Sequence, residues 1–133
     1  MMIIEFDKYQ GAGNDFVILN NKTGVYDSLS TAQVAFLCDR YKGIGADGLI
    51  LINASSTSDF EMQYFNSDGN ESTLCGNGGR CLVAFAKFLN IIEEKTTFIA
   101  IDGLHHATIK HNYVKLQMQD VETIENYAEH TFL

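Results

Sequence analysis

The sequence has few basic residues and no cluster of them. Nine Lys and Arg stand against seventeen Asp and Glu, which gives the 133-residue chain a formal net charge of -8 at pH 7. Proteins bind nucleic-acid backbones mainly through Lys and Arg. The charge balance therefore argues against a nucleic-acid partner.

Long apolar runs and abundant cysteine are also lacking. No apolar stretch approaches the roughly 18 residues of a membrane-spanning helix, and the start, MMIIEFDKYQ, lacks the layout of a signal peptide. Three cysteines are too few, and odd in number, for a secreted disulfide framework. We therefore expect free thiols, no membrane partner and a cytoplasmic protein.

The composition that is present, 46% hydrophobic and 20% charged, is typical of one globular domain. Asp102-Gly103 is a type I′ hairpin signal, and Ser30 with Gln33 forms a capping box for a first helix. That helix is predicted to continue through Val34, Leu37, Cys38 and Tyr41 and to close at Gly43. Strands are predicted over Met2–Phe6, Phe16–Asn20, Leu49–Ile52, Phe60–Asn66, residues 97–101, residues 106–110 and Tyr113–Met118.

A second helix is predicted from Arg80 to Leu89, where RCLVAFAKFL is apolar on almost every face. A helix of this kind that is too short to cross a membrane must be enclosed by protein. The sequence therefore predicts an α+β fold in which a mixed, largely antiparallel sheet is wrapped around one central apolar helix. The acidic tail has no clear period, and no closing element is expected there.

The stretch LCGNGGRC raises the possibility of a metal site or a disulfide. Cys75 and Cys81 are not spaced like the close cysteine pair of a structural zinc site. If Cys81 lies in the helix, about 9 Å of helical rise separates it from Cys75, which is beyond disulfide reach. We expect no metal site, and we interpret the histidines as solvated or hairpin residues at mostly surface positions; they are His105, His106, His111 and His130.

A second glycine-rich stretch, GIGADG, places glycines at positions 43, 45 and 48 in the spacing of a dinucleotide-binding motif. That motif must follow a strand and open a helix. Here the order is reversed, because the stretch follows the first helix and leads into a strand. We interpret it as a helix-to-strand connection.

Cys75 is the candidate reactive thiol because it stands just ahead of the second helix. Free N–H groups and the helix dipole favour an anion at that position and lower the pKa of a thiol. Gly76 and its neighbouring glycines let the backbone approach a ligand closely, and Asn77 adds a neutral amide. The alternative, a buried capping turn with an inert Cys75, stays open from this stretch alone. Cys38 and Cys81 lie on apolar helix faces and are expected to be core residues.

Two further motifs place an asparagine beside glycine at the end or start of a strand. GAGNDF contains Asn14, and FNSDG contains Asn66. Singly, each motif is an ordinary turn signal. Together with CGNGG they suggest a site for the polar groups of a small molecule.

These motifs, YQGAGNDF, GIGADGL, FNSDGNESTLCGNGGRC and the VKLQM strand, resemble in order the N-terminal half of diaminopimelate epimerase. The resemblance runs from residue 2 to about residue 120, and proline racemases and phenazine-biosynthesis isomerases lack the full set. It implies an isomerase without a cofactor that interconverts LL- and meso-diaminopimelate on the bacterial lysine and cell-wall route.

The resemblance also implies roles for individual residues. Cys75 would be one of two catalytic cysteines, and Gly76 and Asn77 would hold the substrate α-carboxylate. Asn14 and Asn66 would contact the substrate's other polar groups. Many family members carry glutamine at position 48, where this chain has Gly48.

The family has two similar halves with the site between them, and the second catalytic cysteine is absent from this sequence. We therefore expect residues 1–120 to form an N-terminal epimerase-like domain and residues 121–133 to begin the crossover to a missing C-terminal domain. The expected partners are diaminopimelate and either the missing half or a second copy of this chain. The alternatives are a non-catalytic amino-acid-binding half-domain or subunit, and a related racemase or isomerase of the same fold.

Overall fold

The computed structural model of the chain describes residues 3–73, 76–111, 113–117 and 130–131. In these residues the chain forms one mixed sheet and two helices. The strands are β1 (Asp7–Gly11), β2 (Asn14–Asn21), β3 (Gly48–Asn53), β4 (Phe60–Asn66), β5 (Glu71–Ser72), β6 (Lys95–Ala100), β7 (Gly103–Lys110), β8 (Tyr113–Gln117) and β9 (His130–Thr131); the helices are α1 (Thr31–Cys38) and α2 (Gly76–Phe88).

The strands follow the spatial order β1-β2-β3-β4-β6-β7-β8-β9, and β5 pairs with β4. The pairs β2–β3 and β4–β6 are parallel, whereas the other pairs are antiparallel. Parallel neighbours need a crossover connection, and α1 and α2 lie in the two crossovers. The predicted α+β class with a mixed, largely antiparallel sheet is confirmed.

Two apolar clusters lie on opposite faces of the central strands. Phe16 of β2 and Ile50 of β3 belong to the cluster that contains the α2 residues, while Val17 and Leu49 belong to the cluster around α1. Successive side chains of a strand point to opposite faces. Both faces of β2 and β3 are therefore buried, which explains why these strands are almost continuously apolar.

Helix α2 contacts β1 and β2 on one side of the sheet order and β7 and β8 on the other, so the sheet curves as a half-barrel. The helix begins at Gly76, four residues before the predicted start at Arg80. It is not apolar on every side as predicted, because Lys87 is only half-buried and Phe88 is 66% exposed. Among the described residues, no helix is long and apolar enough to span a membrane.

The first strand lies later in the sequence than predicted. Residues 3–6 of the predicted Met2–Phe6 strand are outside any element, and Met2 is outside the described residues. Ala12 and Gly13 form a two-residue turn with φ of 52° and 90°, and Gly11 pairs with Asn14. A turn with positive φ at both central residues connects adjacent antiparallel strands directly, so β1 ends at Gly11.

Helix α1 starts as predicted and ends early. The Gln33 N–H donates to Ser30 Oγ (3.1 Å) and the Ser30 N–H donates to Gln33 Oε1 (2.8 Å), which confirms the capping box. The helix ends at Cys38, and Tyr41 is 98% exposed instead of helical. The Asp39 carboxylate accepts from the backbone N–H groups of the residues two and three positions later, and such a bond competes with helix continuation.

The β6–β7 hairpin differs from the prediction in its turn. Ala100 pairs with Gly103, so the turn residues are Ile101 and Asp102 and Gly103 already belongs to β7. Neither Ile101 nor Asp102 has a positive φ, whereas a type I′ turn requires it at both central positions. The predicted type I′ turn at Asp102-Gly103 is therefore wrong.

The acidic tail contributes a short strand. His130 and Thr131 form β9, which pairs antiparallel with β8 through Val114 and Tyr113. The tail was expected to lack such an element. Met118 and the proposed boundary at residues 120–121 lie outside the described residues, so the division into residues 1–120 and 121–133 stays a prediction.

Two glycines with nearly the same backbone conformation provide a test of this packing. Gly13 (φ 90°) has open space where a Cβ would lie, whereas a Cβ on Gly69 (φ 91°) would lie 2.0 Å from the Thr31 carbonyl oxygen. We expect Gly13→Ala to lower the free energy of unfolding by roughly 1–2 kcal/mol through backbone strain alone. Gly69→Ala should cost more, because the steric overlap with backbone adds to the strain. Urea unfolding of both variants measures the difference, and equal losses would contradict the close approach of Gly69 to α1.

Candidate active site

Three adjacent strands bring predicted site residues to one edge of the sheet. Asn14 begins β2, Gly48 begins β3 and Asn66 ends β4. In the sheet register Gly48 is opposite Phe16 on one side and opposite Asn66 on the other. Because side chains alternate along a strand, all three positions are on the face that packs against α2.

The first turn of α2 lies close to that face. A Cβ on Gly78 would be 3.2 Å from Ile50 Cδ1 and 3.5 Å from the Phe16 ring, which is tight packing. Glycine at position 78 therefore lets the helix approach β2 and β3. The predicted carboxylate-binding residues Gly76 and Asn77 are in the same turn.

Hydrogen bonds join the sheet edge to the helix. Asn77 Nδ2 donates to Asn14 Oδ1 at 2.7 Å, and Asn14 Nδ2 donates to Asp47 Oδ2 at 3.1 Å. Arg80, one turn along α2, donates from its guanidinium to Asn77 Oδ1. The structure thus brings Asn14 and Asn77 into direct contact, and it places Asn66 two strands from Asn14 with its side chain exposed.

A group of charged residues supports Asn14 from the side. The Arg40 guanidinium donates to both Asp15 carboxylate oxygens (2.8 and 3.0 Å) and to Asp47 Oδ1 (3.1 Å), and Lys8 Nζ lies 3.2 Å from Asp15. The hydrogen bonds from Arg40, with further help from the Asp47 backbone and Lys8, hold the pKa of Asp15 well below its usual range. Asp15 in turn raises the pKa of Arg40. The ion pairs therefore fasten the start of β2 to the loop before β3.

These supporting residues were not predicted from the sequence. Asp15 follows Asn14 directly, and Asp47 directly precedes Gly48. The acid next to Asn14 and the acid next to Gly48 were the available signal. Arg40, the partner of both acids, is 25 positions from Asp15 and 7 positions from Asp47, and no local pattern marks it as their partner.

Gly48 leaves space for an aromatic side chain. A Cβ at position 48 would lie 2.6 Å from Tyr64 Cε1, 2.9 Å from the Tyr64 hydroxyl oxygen and 2.8 Å from the Phe65 carbonyl oxygen. The Tyr64 ring also meets the Phe16 ring edge to face at 6.1 Å. At position 48, where the family resemblance implies glutamine in many members, this chain has a glycine that Tyr64 covers. Tyr64 was not among the residues predicted from the sequence.

Two of the three cysteines lie within the described residues, and both are buried. Cys38 is 2% exposed and Cys81 is fully buried, so both are core residues as predicted. Burial raises the pKa of the Cys38 thiol to about 11. Cys75 is outside the described residues, and α2 begins at the residue that follows it. Its role as a reactive thiol stays a prediction.

The histidines and the second glycine motif can also be placed. His105 departs from the expected surface position, because it is 1% exposed, stacks on Phe98 and has its Nε2 2.7 Å from Asp102 Oδ1. Residues 39–47, with most of GIGADG, connect α1 to β3 as predicted. Within the described ranges, no group of three or more His, Cys, Asp and Glu side chains is arranged to hold a metal ion.

The thiol assignment predicts an order of alkylation. Near neutral pH, Cys75 should react with limiting iodoacetamide about tenfold or more faster than Cys38 and Cys81, because those two thiols are buried. Peptide mapping of the labelled chain measures the order. In Cys75→Ser the fast phase should disappear. Labelling led by Cys38 would overturn the assignment.

The contact between positions 48 and 64 predicts non-additive stability changes. Gly48→Ala should lower the free energy of unfolding by about 1–3 kcal/mol, because the added methyl group overlaps Tyr64. In a Tyr64→Ala background the same change should cost less. Urea unfolding of the two single variants and the double variant measures this. Additivity within about 0.5 kcal/mol would show that the ring does not occupy this space.

The chain is similar in sequence to known proteins. The family model described as diaminopimelate epimerase matches residues 6–124. The chain is 59% identical over 127 residues to diaminopimelate epimerase of Flavobacterium psychrophilum, covering 95% of this chain and 50% of that protein. It is 53% identical over 81 residues to diaminopimelate epimerase of Chlorobaculum tepidum, covering 61% and 31%. The chain thus spans about half the length of the first of these curated relatives, and its match covers less than half of the second.

Solved structures show the fold at lower identity. A PhzF-family phenazine biosynthesis protein of Bacillus anthracis matches with a TM-score of 0.68 and 20% identity, over 87% of this chain and 40% of that one. A hydroxyproline epimerase of Agrobacterium vitis matches with a TM-score of 0.66 and 13% identity, over 86% and 41%. These similarities support the mixed half-barrel. The family match over residues 6–124 and the 59% identity to a curated relative show that the chain belongs to the diaminopimelate epimerase family.

Proposed function

We propose that this chain supplies one half of the active site of a cofactor-independent epimerase that interconverts LL- and meso-diaminopimelate, with Cys75 as one of two catalytic thiols. The observation that carries the proposal is the Asn77–Asn14 hydrogen bond of 2.7 Å. It joins the start of β2 to the first turn of α2. In the sequence, Gly76 and Cys75 directly precede Asn77. Two motifs that the family resemblance assigns to one substrate are thereby in contact.

The first turn of α2 suits a carboxylate. The first N–H groups of a helix have no partner within the helix, and the helix dipole is positive at this end. The first turn of α2 has no acidic residue, and Arg80 lies close to it. Within a chain of net charge -8, this turn is therefore a local anion site, and Gly76 and Asn77 would hold the substrate α-carboxylate there.

Asn14 and Asn66 would contact the remaining polar groups of the substrate. Both stand on the face of the sheet that packs against α2, at the ends of β2 and β4. Asn66 is exposed, so its amide is accessible to a ligand. An amide can donate to a carboxylate or accept from an ammonium group, and diaminopimelate carries two of each.

Inversion of an α-carbon explains the need for two thiols. A thiolate on one face takes the α-hydrogen as a proton and becomes a thiol, which leaves the electron pair on the α-carbon. A thiol on the opposite face then gives its proton to that carbon and becomes a thiolate. A single base would tend to return the proton to the face from which it came. N–H donors around the carboxylate stabilise the carbanion when water is excluded.

The second thiol has to come from outside the described half-site. Cys38 and Cys81 are both buried, so neither can face a substrate. We propose that a further segment of the complete protein, equivalent to the other half of the relatives, provides it. The isolated chain would then be a non-catalytic amino-acid-binding half.

A chimeric protein tests this proposal. Residues 1–120 of this chain are fused to the C-terminal half of the Flavobacterium psychrophilum relative. This relative is chosen because it is 59% identical to the present chain over 127 residues. The chimera should convert LL- to meso-diaminopimelate and incorporate deuterium at the α-carbon in D₂O. Cys75→Ala in the chimera should lower turnover at least about 10³-fold, because one of the two proton-transfer groups is lost. Proline and 4-hydroxyproline serve as alternative substrates in the same assay.

The contrary outcomes are distinct. A folded chimera that inverts neither diaminopimelate nor the proline substrates would reject the epimerase assignment, and full activity of the Cys75→Ala chimera would reject the catalytic thiol. The unfused chain should bind diaminopimelate without inverting it. If the unfused chain instead turns over with a rate that rises with the square of its concentration, a second copy supplies the opposing thiol.

A further inference from the structure

We propose that Asp47 and Arg80 are positioning residues that set the direction of a chain of hydrogen bonds through Asn14 and Asn77. The chain runs from Arg80 to Asn77, from Asn77 to Asn14 and from Asn14 to Asp47. Its use in substrate binding rests on the proposed function. The direction of these hydrogen bonds is a property of the 133-residue protein itself and can be tested without catalysis.

The two ends of this chain have fixed hydrogen-bond polarity. A guanidinium group can only donate, and an ionised carboxylate can only accept. Since Asp47 Oδ2 accepts from Asn14 Nδ2 at 3.1 Å, the other amide atom of Asn14, Oδ1, is the atom that accepts from Asn77. Since Asn77 uses its Nδ2 for that bond, its Oδ1 is the atom that accepts from Arg80. All three bonds therefore point the same way.

Two asparagines without charged neighbours would have no such preference. An amide can turn by 180° and exchange its donor with its acceptor, so an isolated Asn14–Asn77 pair could run in either direction. The reverse direction would place Asn77 Nδ2 against the Arg80 donor and Asn14 Oδ1 against the Asp47 carboxylate. Both contacts would be repulsive, and the charged ends together select one direction.

Asp47 is itself held in place. Its Oδ1 accepts from Arg40 at 3.1 Å, and its Oδ2 also accepts from the Asp15 backbone N–H at 3.2 Å. Its own backbone N–H donates to Asp15 Oδ1 at 3.0 Å. The carboxylate thus has a fixed position and a cationic neighbour, as the end of a directional chain requires.

The fixed direction determines what the two amides offer to a substrate. The side-chain NH₂ group of each asparagine has two hydrogens, and one of them is used in the series of hydrogen bonds. Within the part of the chain that the structure describes, Asn14 and Asn77 each have one further side-chain N–H, which these bonds do not use, beside the turn proposed to hold the α-carboxylate. If the amides could turn, an acceptor would replace a donor in part of the molecules, and the carboxylate would bind more weakly.

The experiment uses the 133-residue chain labelled with ¹⁵N, and it follows the side-chain NH₂ resonances of Asn14 and Asn77. Asp47→Asn keeps the shape of the side chain but replaces a carboxylate, which can only accept hydrogen bonds, by an amide, which can also donate them. We expect it to shift the resonances of Asn77, which it does not contact, as well as those of Asn14. Asp7→Asn is the matched control, because Asp7 is an exposed residue of β1, and it should leave both pairs unchanged.

The same test is made from the other end of the chain. Arg80→Gln, which can accept as well as donate, should shift the resonances of Asn14, whereas Arg80→Lys, which can only donate, should preserve them. This pair gives the answer also where Asp47→Asn fails to fold. If each substitution moves only the amide that it touches, the proposal is wrong.

Catalysis in the chimera adds a readout that a merely structural role would not move. Asp47→Asn should raise KM for LL-diaminopimelate about tenfold with a smaller change in kcat, because binding of the carboxylate is weakened in ground state and transition state alike. An unchanged KM would contradict the use of these amides for the substrate. A folded but inactive chimera, together with the expected resonance shifts in the 133-residue protein, would reject the proposed function and still support the fixed direction of the hydrogen bonds.

Discussion

The hydrogen bond between Asn77 and Asn14 is the interaction on which the arrangement of the site depends. It connects residues that are 63 positions apart in the sequence, one in the first turn of α2 and one at the start of β2. The packing beneath it makes the contact possible, because Gly78 lets the helix lie against Phe16 and Ile50. The contact therefore lies where the apolar cluster around α2 meets the edge of the sheet.

Charge is distributed unevenly around this contact. The chain carries a net charge of -8, yet the two acids beside Asn14, which are Asp15 and Asp47, are paired with Arg40 and Lys8. Arg80 adds a further positive charge in α2, next to the first turn. The acids beside Asn14 are thus compensated, and Arg80 leaves a positive charge near the start of α2 in an otherwise acidic protein, which is the field that the proposed binding of an anionic substrate requires.

Features with a local cause could be predicted from the sequence. The bounds of β4 and the capping box of α1 are confirmed, because alternating apolar residues and a serine–glutamine pair act within a few positions. The predicted start of α2 at Arg80 and the predicted type I′ turn at Asp102-Gly103 were wrong, since glycine permits several conformations and does not itself choose one. The ion pair between Arg40 and Asp15, which are 25 positions apart, and the cover of Gly48 by Tyr64 of the neighbouring strand depend on the tertiary fold, so no local pattern predicts them. Family resemblance grouped Asn14 with Asn77, and the fold supplies the contact between them.

If these two amides hold the helix and the sheet edge together, their contributions to stability are coupled, and a double-mutant cycle measures that coupling. Urea unfolding of the parent chain, Asn14→Ala, Asn77→Ala and the double variant gives the coupling free energy between the two side chains. We expect a favourable coupling of about 0.5–1.5 kcal/mol, the usual net value of one hydrogen bond between neutral groups. Additive losses, with a coupling within about 0.3 kcal/mol of zero, would contradict it.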